Sequence, residues 1–384
     1  MRRRDFLAGS CAGLLATLPQ TRLALAHAAT DRRLVVVVLR GGMDGLAALA
    51  PWADPGLRRL RPRLAPGRAG VIDLDGYFGL DAGLRGLMPL WQAGELAFLP
   101  AATTRYRERS HAEGQALLEN GTASPEGARD GWLNRALLAL NDGDARLGLS
   151  LGPAVPLILQ GAATVQSWSN DGLPEPGADF LTRLGLIYRH DAAFAAAFEA
   201  ARGSARPDPA LLAGIDDTLF LGARVAGSLL AQTQGPRVAV IEMQGWDTHI
   251  NQGARLEGQF GRLTEALLTL RAALGSAWEQ SAVLVVSEFG RTAAENGAGG
   301  TDHGTGGLAM VLGGALGGGR LLGDWPGLST GALHEGRDLA APNALESLFK
   351  AALIGHMGLA PAQVDESVFP ASAHLAPVPG LFGI

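Results

Sequence analysis

The stretch VLVVSEFGRTAAENGAGGTDHGTG, residues 283–306, decides the fold prediction because an uninterrupted apolar run leads directly into acids, an arginine and a histidine. Residues 283–286 are apolar without alternation, which is typical of a parallel strand covered by helices on both faces. Glu288 and Arg291 then follow at the carboxyl end of this strand, where open α/β sheets bind ligands. The stretch therefore predicts a ligand site at the end of a buried strand.

Two other apolar runs end in the same way. LVVVVL at 34–39 is followed by Asp44 among glycines, and VAVIEM at 238–243 is followed by Asp247 and His249. If the three strands are parallel neighbours, their carboxyl ends meet at one edge of the sheet, which predicts a shared site. Purely structural interpretations stay open, because Asp44 could serve only as a turn residue and Asp247 only as the cap of the following helix.

The donors in these segments suit a divalent metal. Asp302 and His303 follow the glycine-rich loop after Glu288, and together they offer oxygen and nitrogen ligands of the kind that Zn²⁺ prefers. Mn²⁺ and Ca²⁺ are the alternatives, with one or two ions bound. A carboxylate that follows a run of four apolar residues is costly unless it is paired or metal-bound, so Glu288 is a predicted ligand, although Arg291 could be only its ion-pair partner.

The segment RSHAE at 109–113 offers a candidate nucleophile. Ser110 with Glu113 three residues later has the pattern of a capping box at a helix start, and that structural role alone would explain both residues. A hydroxyl at a helix N-terminus also lies among free N–H groups that attract phosphate or sulfate, and metal coordination would activate it. We therefore predict Ser110 as a candidate catalytic nucleophile, and Arg109 and Arg291 as candidate residues that bind the negative charge of the substrate.

Bulk composition limits the class of protein. The chain has 384 residues, 47% of them hydrophobic and 18% charged, which is typical of a globular protein with a large core. A net charge of −5 without a long basic stretch leaves no electrostatic footprint for nucleic-acid binding. Residues 1–28 carry twin arginines, a short apolar region and small residues before a cleavage site, and so predict a twin-arginine export signal.

The export prediction sets the expected location and partners. The mature chain would begin near residue 27 or 29 and reach the periplasm or the extracellular space through the twin-arginine translocase. Its apolar segments are too short to predict a transmembrane span. The only cysteine, Cys11, lies inside the signal, so disulfides do not stabilise the predicted mature protein.

Alternating apolar runs and helical periodicities predict an α/β fold with a doubly wound, mainly parallel sheet sandwiched by helices over residues 29–384. The strands fall near 34–39, 71–74, 96–100, 237–243, 282–287 and 308–312. Signals weaken over residues 121–215, which we interpret as an inserted region or cap beside the sheet.

Six segments in this order resemble the twin-arginine-exported family of domain of unknown function 1501, a branch similar to the alkaline-phosphatase and sulfatase superfamily. They are LRGGMDGL at 39–46, RSH at 109–111, GWLNR at 131–135, GWDTH at 245–249, SEFGRT at 287–292 and GTDHGTGG at 300–307.

The resemblance implies an alkaline-phosphatase-like sheet and a metal site of one or two ions. It implies that Asp44, Asp247, His249 and His303 are ligands and that Ser110 is the nucleophile. Glu288 would stand where that superfamily usually has an adjacent Asp-His pair, but the next residue here is Phe289.

The resulting prediction is an exported metal-dependent hydrolase of phosphate or sulfate esters, acting on a small-molecule or glycan ester. The main alternative is a non-catalytic exported protein that binds a glycan or an assembly partner through a degenerate site, and Phe289 favours it. A third interpretation is a purely structural metal.

Overall fold

The computed structural model describes residues 30–140, 147–152, 154–170, 177–192, 194–195, 198–199 and 217–382. The predicted export signal, residues 1–28, lies outside the described residues, as do parts of the predicted cap at 121–215. Within the described residues, no helix combines the length and apolar character needed to cross a membrane.

Twelve strands and ten α-helices lie entirely within the described residues, with several short 3₁₀ and π-helical turns. The strands are β1 Arg33–Leu39, β2 Leu49–Ala50, β3 Val71–Asp73, β4 Gly79–Asp81, β5 Leu96–Thr103, β6 Gly148–Leu151, β7 Val165–Trp168, β8 Val238–Met243, β9 Ser281–Ser287, β10 Gly307–Leu312, β11 Arg320–Leu321 and β12 Asn343–Ala344. The helices are α1 Gly45–Ala48, α2 Pro55–Leu60, α3 Met88–Gln92, α4 His111–Asn120, α5 Trp132–Leu140, α6 Ala178–Tyr188, α7 Thr218–Ala231, α8 Gln252–Leu274, α9 Leu345–Lys350 and α10 Pro361–Gln363.

The main sheet has the order β11-β5-β10-β9-β1-β8-β6-β7, with β12 also paired to β5. Strands β9, β1, β8, β6 and β7 run parallel to one another, so their carboxyl ends share one edge. The predicted fold class, a mainly parallel α/β sheet sandwiched by helices, is confirmed.

Apolar side chains on both faces explain why β1 lacks alternation. Val35, Val37 and Leu39 pack into a core that includes α7 and α8, whereas Leu34 and Val36 pack into a second core with α5 and α9. Burying a side chain of this size stabilises the fold by about 1.5–3 kcal/mol. An aspartate at either face would therefore break the layer, because its charge would be buried without a partner.

Two predicted strands have a different partner or direction from the one expected. β10 runs antiparallel to β9 and β5, since the chain returns from β9 through the loop 288–306 without a crossover helix. β3 belongs to a separate antiparallel sheet of order β2-β4-β3. Within the predicted cap, β6 and β7 extend the main sheet beyond β8.

Candidate metal centre

The parallel strands bring the predicted site residues to one edge of the sheet. Asp247 and His249 follow β8, Glu288 follows β9, and His303 lies in the loop that leads to β10. His111 enters from outside the strands as the first residue of α4. Three parts of the chain that are distant in sequence therefore supply one cluster.

A glycine permits the close approach of the first strand to this cluster. Gly41 follows β1 with a φ of +122°, and a Cβ atom there would lie 2.5 Å from the backbone nitrogen of Asp247. Its own N–H donates to Glu288 Oε1 at 2.9 Å. Only glycine combines this backbone conformation with this separation.

Three imidazole nitrogens and one carboxylate form the centre of the cluster. His303 Nε2 lies 3.0 Å from His111 Nε2 and 3.1 Å from His249 Nε2. Asp247 Oδ1 lies 2.9 Å from His249 Nε2 and 3.2 Å from His303 Nε2, and its Oδ2 lies 3.6 Å from His111 Nε2. The compact group is His111, Asp247 and His303, with donor atoms within 4.8 Å of one another, and His249 adjoins it.

The other ring nitrogens fix which histidine atoms carry lone pairs. His111 Nδ1 contacts Glu288 Oε1 at 2.7 Å, His303 Nδ1 contacts the carbonyl oxygen of Arg109 at 2.9 Å, and His249 Nδ1 contacts Asp302 Oδ1 at 3.1 Å. Because all three partners are acceptors, we assign the hydrogen of each neutral ring to Nδ1. The three Nε2 lone pairs then face one another and Asp247, which is unfavourable unless a proton or a cation lies between them.

This donor set fits a divalent cation. Ligand atoms about 2.0–2.1 Å from a tetrahedral Zn²⁺ ion are roughly 3.3 Å apart, close to the separations in the compact group. Carboxylate and carbonyl groups that hold the second ring nitrogen are the usual outer partners of metal-binding histidines. The geometry therefore agrees with a single ion coordinated by His111, Asp247 and His303, with His249 as an adjoining donor.

The pKa shifts within the cluster follow from its contacts. Burial alone would raise the pKa of Glu288, but hydrogen bonds from His111, Gln115 and the Gly41 backbone outweigh it, so the pKa is lowered. The same bond to Glu288 raises the pKa of His111. Burial lowers the pKa of His303, and the charges of His111 and Arg291 lower it further.

Arg291 is a fully buried partner of Asp247. Its Nη1 donates to Asp247 Oδ1 at 2.6 Å, while Nη2 and Nε bond the carbonyl and hydroxyl oxygens of Thr301. Burial would raise the pKa of Asp247, but the hydrogen bond and charge of Arg291 reverse this and lower it. The guanidinium thus keeps Asp247 ionised and oriented.

Asp44 is not brought into the cluster. Its carboxylate forms a buried ion pair with Arg61, at 2.7 Å to Nη1 and 3.1 Å to Nη2, and accepts a bond from Gln252. It also caps α1 by accepting the backbone N–H of Leu46. Because Arg61 is only 2% exposed, this carboxylate neutralises a buried cation.

Ser110 and Arg109 lie next to His111 in the chain. Ser110 is the N-cap of α4, but its side chain makes no capping bond. Tyr106 donates its hydroxyl to Glu113 instead, so the expected capping box does not form. The Arg109 side chain pairs with Glu335 and Asp338, at 2.7 Å from Nε to Asp338, and only its backbone carbonyl meets the cluster.

The structure adds one donor that the sequence argument did not select, His111. The sequence signal was its place beside Ser110 at a helix start after a strand. Asp302 and Glu288, both predicted ligands, contact the outer nitrogens of histidines. Phe289 is buried against two of the rings, with centroids 4.8 Å from His111 and 5.4 Å from His303.

Comparison with solved structures gives distant similarities. The chain overlaps Ps i-CgsB in complex with k-i-k-neocarrahexaose at a TM-score of 0.46 and 12% identity, covering 91% of this chain and 77% of that one. The alkaline phosphatase from the Antarctic bacterium TAB5 gives a TM-score of 0.35 and 11% identity, covering 73% of this chain and 90% of that one. The PsFucS1 sulfatase from Pseudoalteromonas sp. gives 0.31 and 11%, covering 84% and 68%. At these scores the overlaps carry no functional assignment.

A search of curated proteins finds no match. The family model described as protein of unknown function DUF1501 matches residues 101–366, which include α4, both motifs after β8 and β9, and the loop with His303. This chain is therefore a member of the DUF1501 family, as the six sequence segments predict.

Proposed function

We propose that this protein is a metal-dependent hydrolase of phosphate or sulfate esters. The observation that carries the proposal is the convergence of His111, His249 and His303 through their Nε2 atoms on Asp247, with every Nδ1 bonded to an oxygen acceptor. Such an arrangement positions lone pairs for a cation and has no evident use in packing.

His111, Asp247 and His303 would hold the ion, with His249 beside them. A divalent cation bound here would supply Lewis-acid stabilisation of negative charge on ester oxygens. Arg291 would keep Asp247 ionised, and Glu288 would hold the His111 ring in the required tautomer. Zn²⁺ suits a site with histidine nitrogens and one carboxylate, with Mn²⁺ or Ca²⁺ as alternatives.

Ser110 is the candidate nucleophile in this proposal. It precedes His111 at the start of α4, where unpaired backbone N–H groups favour a tetrahedral oxyanion. Its oxygen would attack the phosphorus or sulfur atom in line and displace the alcohol, and water would then release the anion and restore the serine. Phosphate and sulfate share this geometry, so both ester classes belong to the proposal.

A second candidate function is non-catalytic binding of a glycan or an assembly partner. Phe289 favours it, because the ring fills the space beside His111 and His303 where a further ligand would be needed for a second ion. The candidate substrate-binding arginines also favour it, since Arg291 is bonded to Asp247 and Arg109 to Asp338.

Export completes the proposal. Residues 1–28 would direct the folded protein through the twin-arginine translocase to the periplasm or beyond. That pathway carries folded proteins, which is compatible with a metal bound before export.

Metal analysis of protein purified without chelator tests the proposal first. We expect about one equivalent of metal in wild type, loss of metal in His111→Ala and His303→Ala, and retention in His374→Ala, an exposed histidine used as a control. Turnover of 4-nitrophenyl phosphate or sulfate by the metal-loaded protein is then expected to disappear in Ser110→Ala while metal is retained. Folded wild type that binds no metal would sink the hydrolase proposal and leave the binding protein.

A further inference from the structure

A cavity of about 430 Å³ opens at the same edge of the sheet as the metal cluster, between the ends of β6 to β8 and the helices α7 and α8. It is lined by the last residues of three strands, Leu151 of β6, Trp168 of β7 and Met243 of β8. Its volume lies in the range of small-ligand sites, roughly 300–1,000 Å³. The function proposed above leaves this cavity unused.

The sheet places the cavity within reach of the cluster. β8 contributes to both, since Asp247 lies four residues beyond Met243. The cluster is centred on the ends of β8, β1 and β9, and the cavity on those of β8, β6 and β7. With neighbouring strands about 4.8 Å apart, the two centres lie two strand spacings, or roughly 10 Å, apart along the sheet edge. One ligand could therefore span both.

The two charged residues among the described lining of the cavity, Glu242 and Arg262, both form ion pairs. Glu242 accepts from Arg40 Nε at 2.6 Å, and Arg262 Nη2 donates to Asp217 at 2.8 Å. Because Arg40 also pairs with Glu119, it balances only one of the two carboxylates, and this part of the wall keeps a net negative charge. The described wall therefore disfavours an anionic group and suits a neutral ligand whose hydroxyls can donate to a carboxylate.

The remaining wall combines an aromatic face with neutral polar groups. Trp168 is half-buried at the end of β7, and Ser169, Asn170 and Gln244 add hydroxyl and amide groups. Amides and hydroxyls both donate and accept hydrogen bonds, which suits a ligand with many hydroxyls. An indole presents a flat apolar surface, which suits the C–H face of a pyranose ring.

Glu242 provides an acceptor in this setting. Both bonds from Arg40 fall on Oε1, and among the described contacts Oε2 accepts none. Arg40 is held in turn by Glu119, which is 5% exposed. The carboxylate is thus fixed in position and can accept a ligand hydroxyl.

We propose that this cavity binds a neutral sugar unit of a glycan whose phosphate or sulfate ester lies at the metal cluster. This inference rests on the proposed hydrolase function and names its substrate class as a glycan ester. Trp168 would stack against the sugar ring and Glu242 would accept one of its hydroxyls.

Ligand-observed saturation-transfer NMR on the whole protein tests sugar binding without needing turnover. The probes are cellobiose, lactose, maltose and diacetylchitobiose. We expect at least one to bind wild type, with about tenfold weaker binding in Trp168→Ala and Glu242→Gln. The matched controls are Trp91→Ala, a half-buried tryptophan on α3, and Glu257→Gln on α8, and both are expected to bind as wild type does.

Two further variants separate this inference from the hydrolase proposal. His303→Ala should lose metal but keep sugar binding, and Trp168→Ala should keep metal and hydrolysis of a small 4-nitrophenyl ester. Absence of binding for all four sugars overturns the sugar site, as does binding that is unchanged in Trp168→Ala. Sugar binding by a protein that holds no metal would retain the cavity as a sugar site and remove the ester from the inference.

Discussion

Replacing Glu288 with glutamine tests the outer layer of the proposed metal site. Glu288 Oε1 accepts hydrogen bonds from His111, Gln115 and the Gly41 backbone, and its side chain is fully buried. Glutamine keeps the shape and this acceptor. Its amide N–H would meet Ser287 Oγ, which lies 3.0 Å from Glu288 Oε2 and donates its own hydrogen to a backbone carbonyl. The fold is therefore expected to accommodate Glu288→Gln.

The expected loss can be derived from the His111 contact. A hydrogen bond to a charged group contributes about 1.5–3 kcal/mol and a neutral one about 0.5–1.5 kcal/mol. Removing the charge therefore weakens, by about 1–1.5 kcal/mol, the hydrogen bond that orients the His111 ring and raises its basicity. This corresponds to a roughly tenfold weaker metal affinity. That value lies at the lower end of the 10–100-fold range known for changes to such outer partners.

Competition with a chromophoric zinc chelator at neutral pH measures this affinity. Glu257→Gln, on the exposed face of α8, is the matched control and is expected to bind as wild type does. NMR titration of the metal-free variant is expected to give a lower pKa for His111, because the bond to Glu288 is the main cause of its raised value. A folded Glu288→Gln variant with wild-type zinc affinity would refute the assignment of Glu288 as the partner that orients His111.

Three further predictions concern stability and backbone geometry. Burial lowers the pKa of His356 to about 4 in the folded protein, whereas the pKa of an unfolded histidine is about 6.5. Between pH 4 and about 6.5 the unfolded chain therefore binds more protons than the folded one. Stability is then lost as the pH falls through that window, by up to about 3 kcal/mol, and His356→Gln is expected to flatten the loss in denaturant titrations. Asp44→Ala leaves the buried Arg61 without its ion-pair partner and is expected to lower the free energy of unfolding by about 3–5 kcal/mol in denaturant titrations. Metal content, measured below the unfolding transition, is expected to stay unchanged, and loss of metal from the folded variant would contradict this. Gly41→Ala is expected to weaken zinc binding, whereas Gly76→Ala, with positive φ but nothing within 4 Å, is expected only to destabilise the fold slightly; equal zinc affinities would contradict the close-approach argument.

The sequence predicted the main sheet well because its central strands are uniformly apolar. Such runs need cover on both faces, and the polar residues after them must then lie at the sheet edge. The direction of β10 was not predictable in this way, since an apolar run has the same composition in either direction. Only the absence of a crossover helix in 288–306 indicated that the chain turned back.

The sequence predicted which chain segments form the site, but it did not predict which partners the acidic side chains contact. Asp44 and Glu288 have the same sequence signature, an acid after a buried strand, yet one neutralises Arg61 and the other bonds a histidine. The direction in which each side chain points decides between these roles, and the sequence pattern does not give it. His111 was harder to select, because β5 precedes it and is separated from β9 by β10 in the sheet.

The exposure of the inner side chains is what the proposed catalytic ion would require, and a purely structural ion would not. Structural zinc sites are closed by four protein ligands, whereas catalytic sites keep an open position. Here the inner residues are open to solvent, with side chains of His111, Asp247 and His303 that are 28%, 44% and 27% exposed. Their outer partner Glu288 and the guanidinium of Arg291 are in contrast fully buried. For the proposed hydrolase, a buried layer beneath exposed inner residues would let an ester reach a bound ion, whereas a purely structural ion would not require that side to be uncovered.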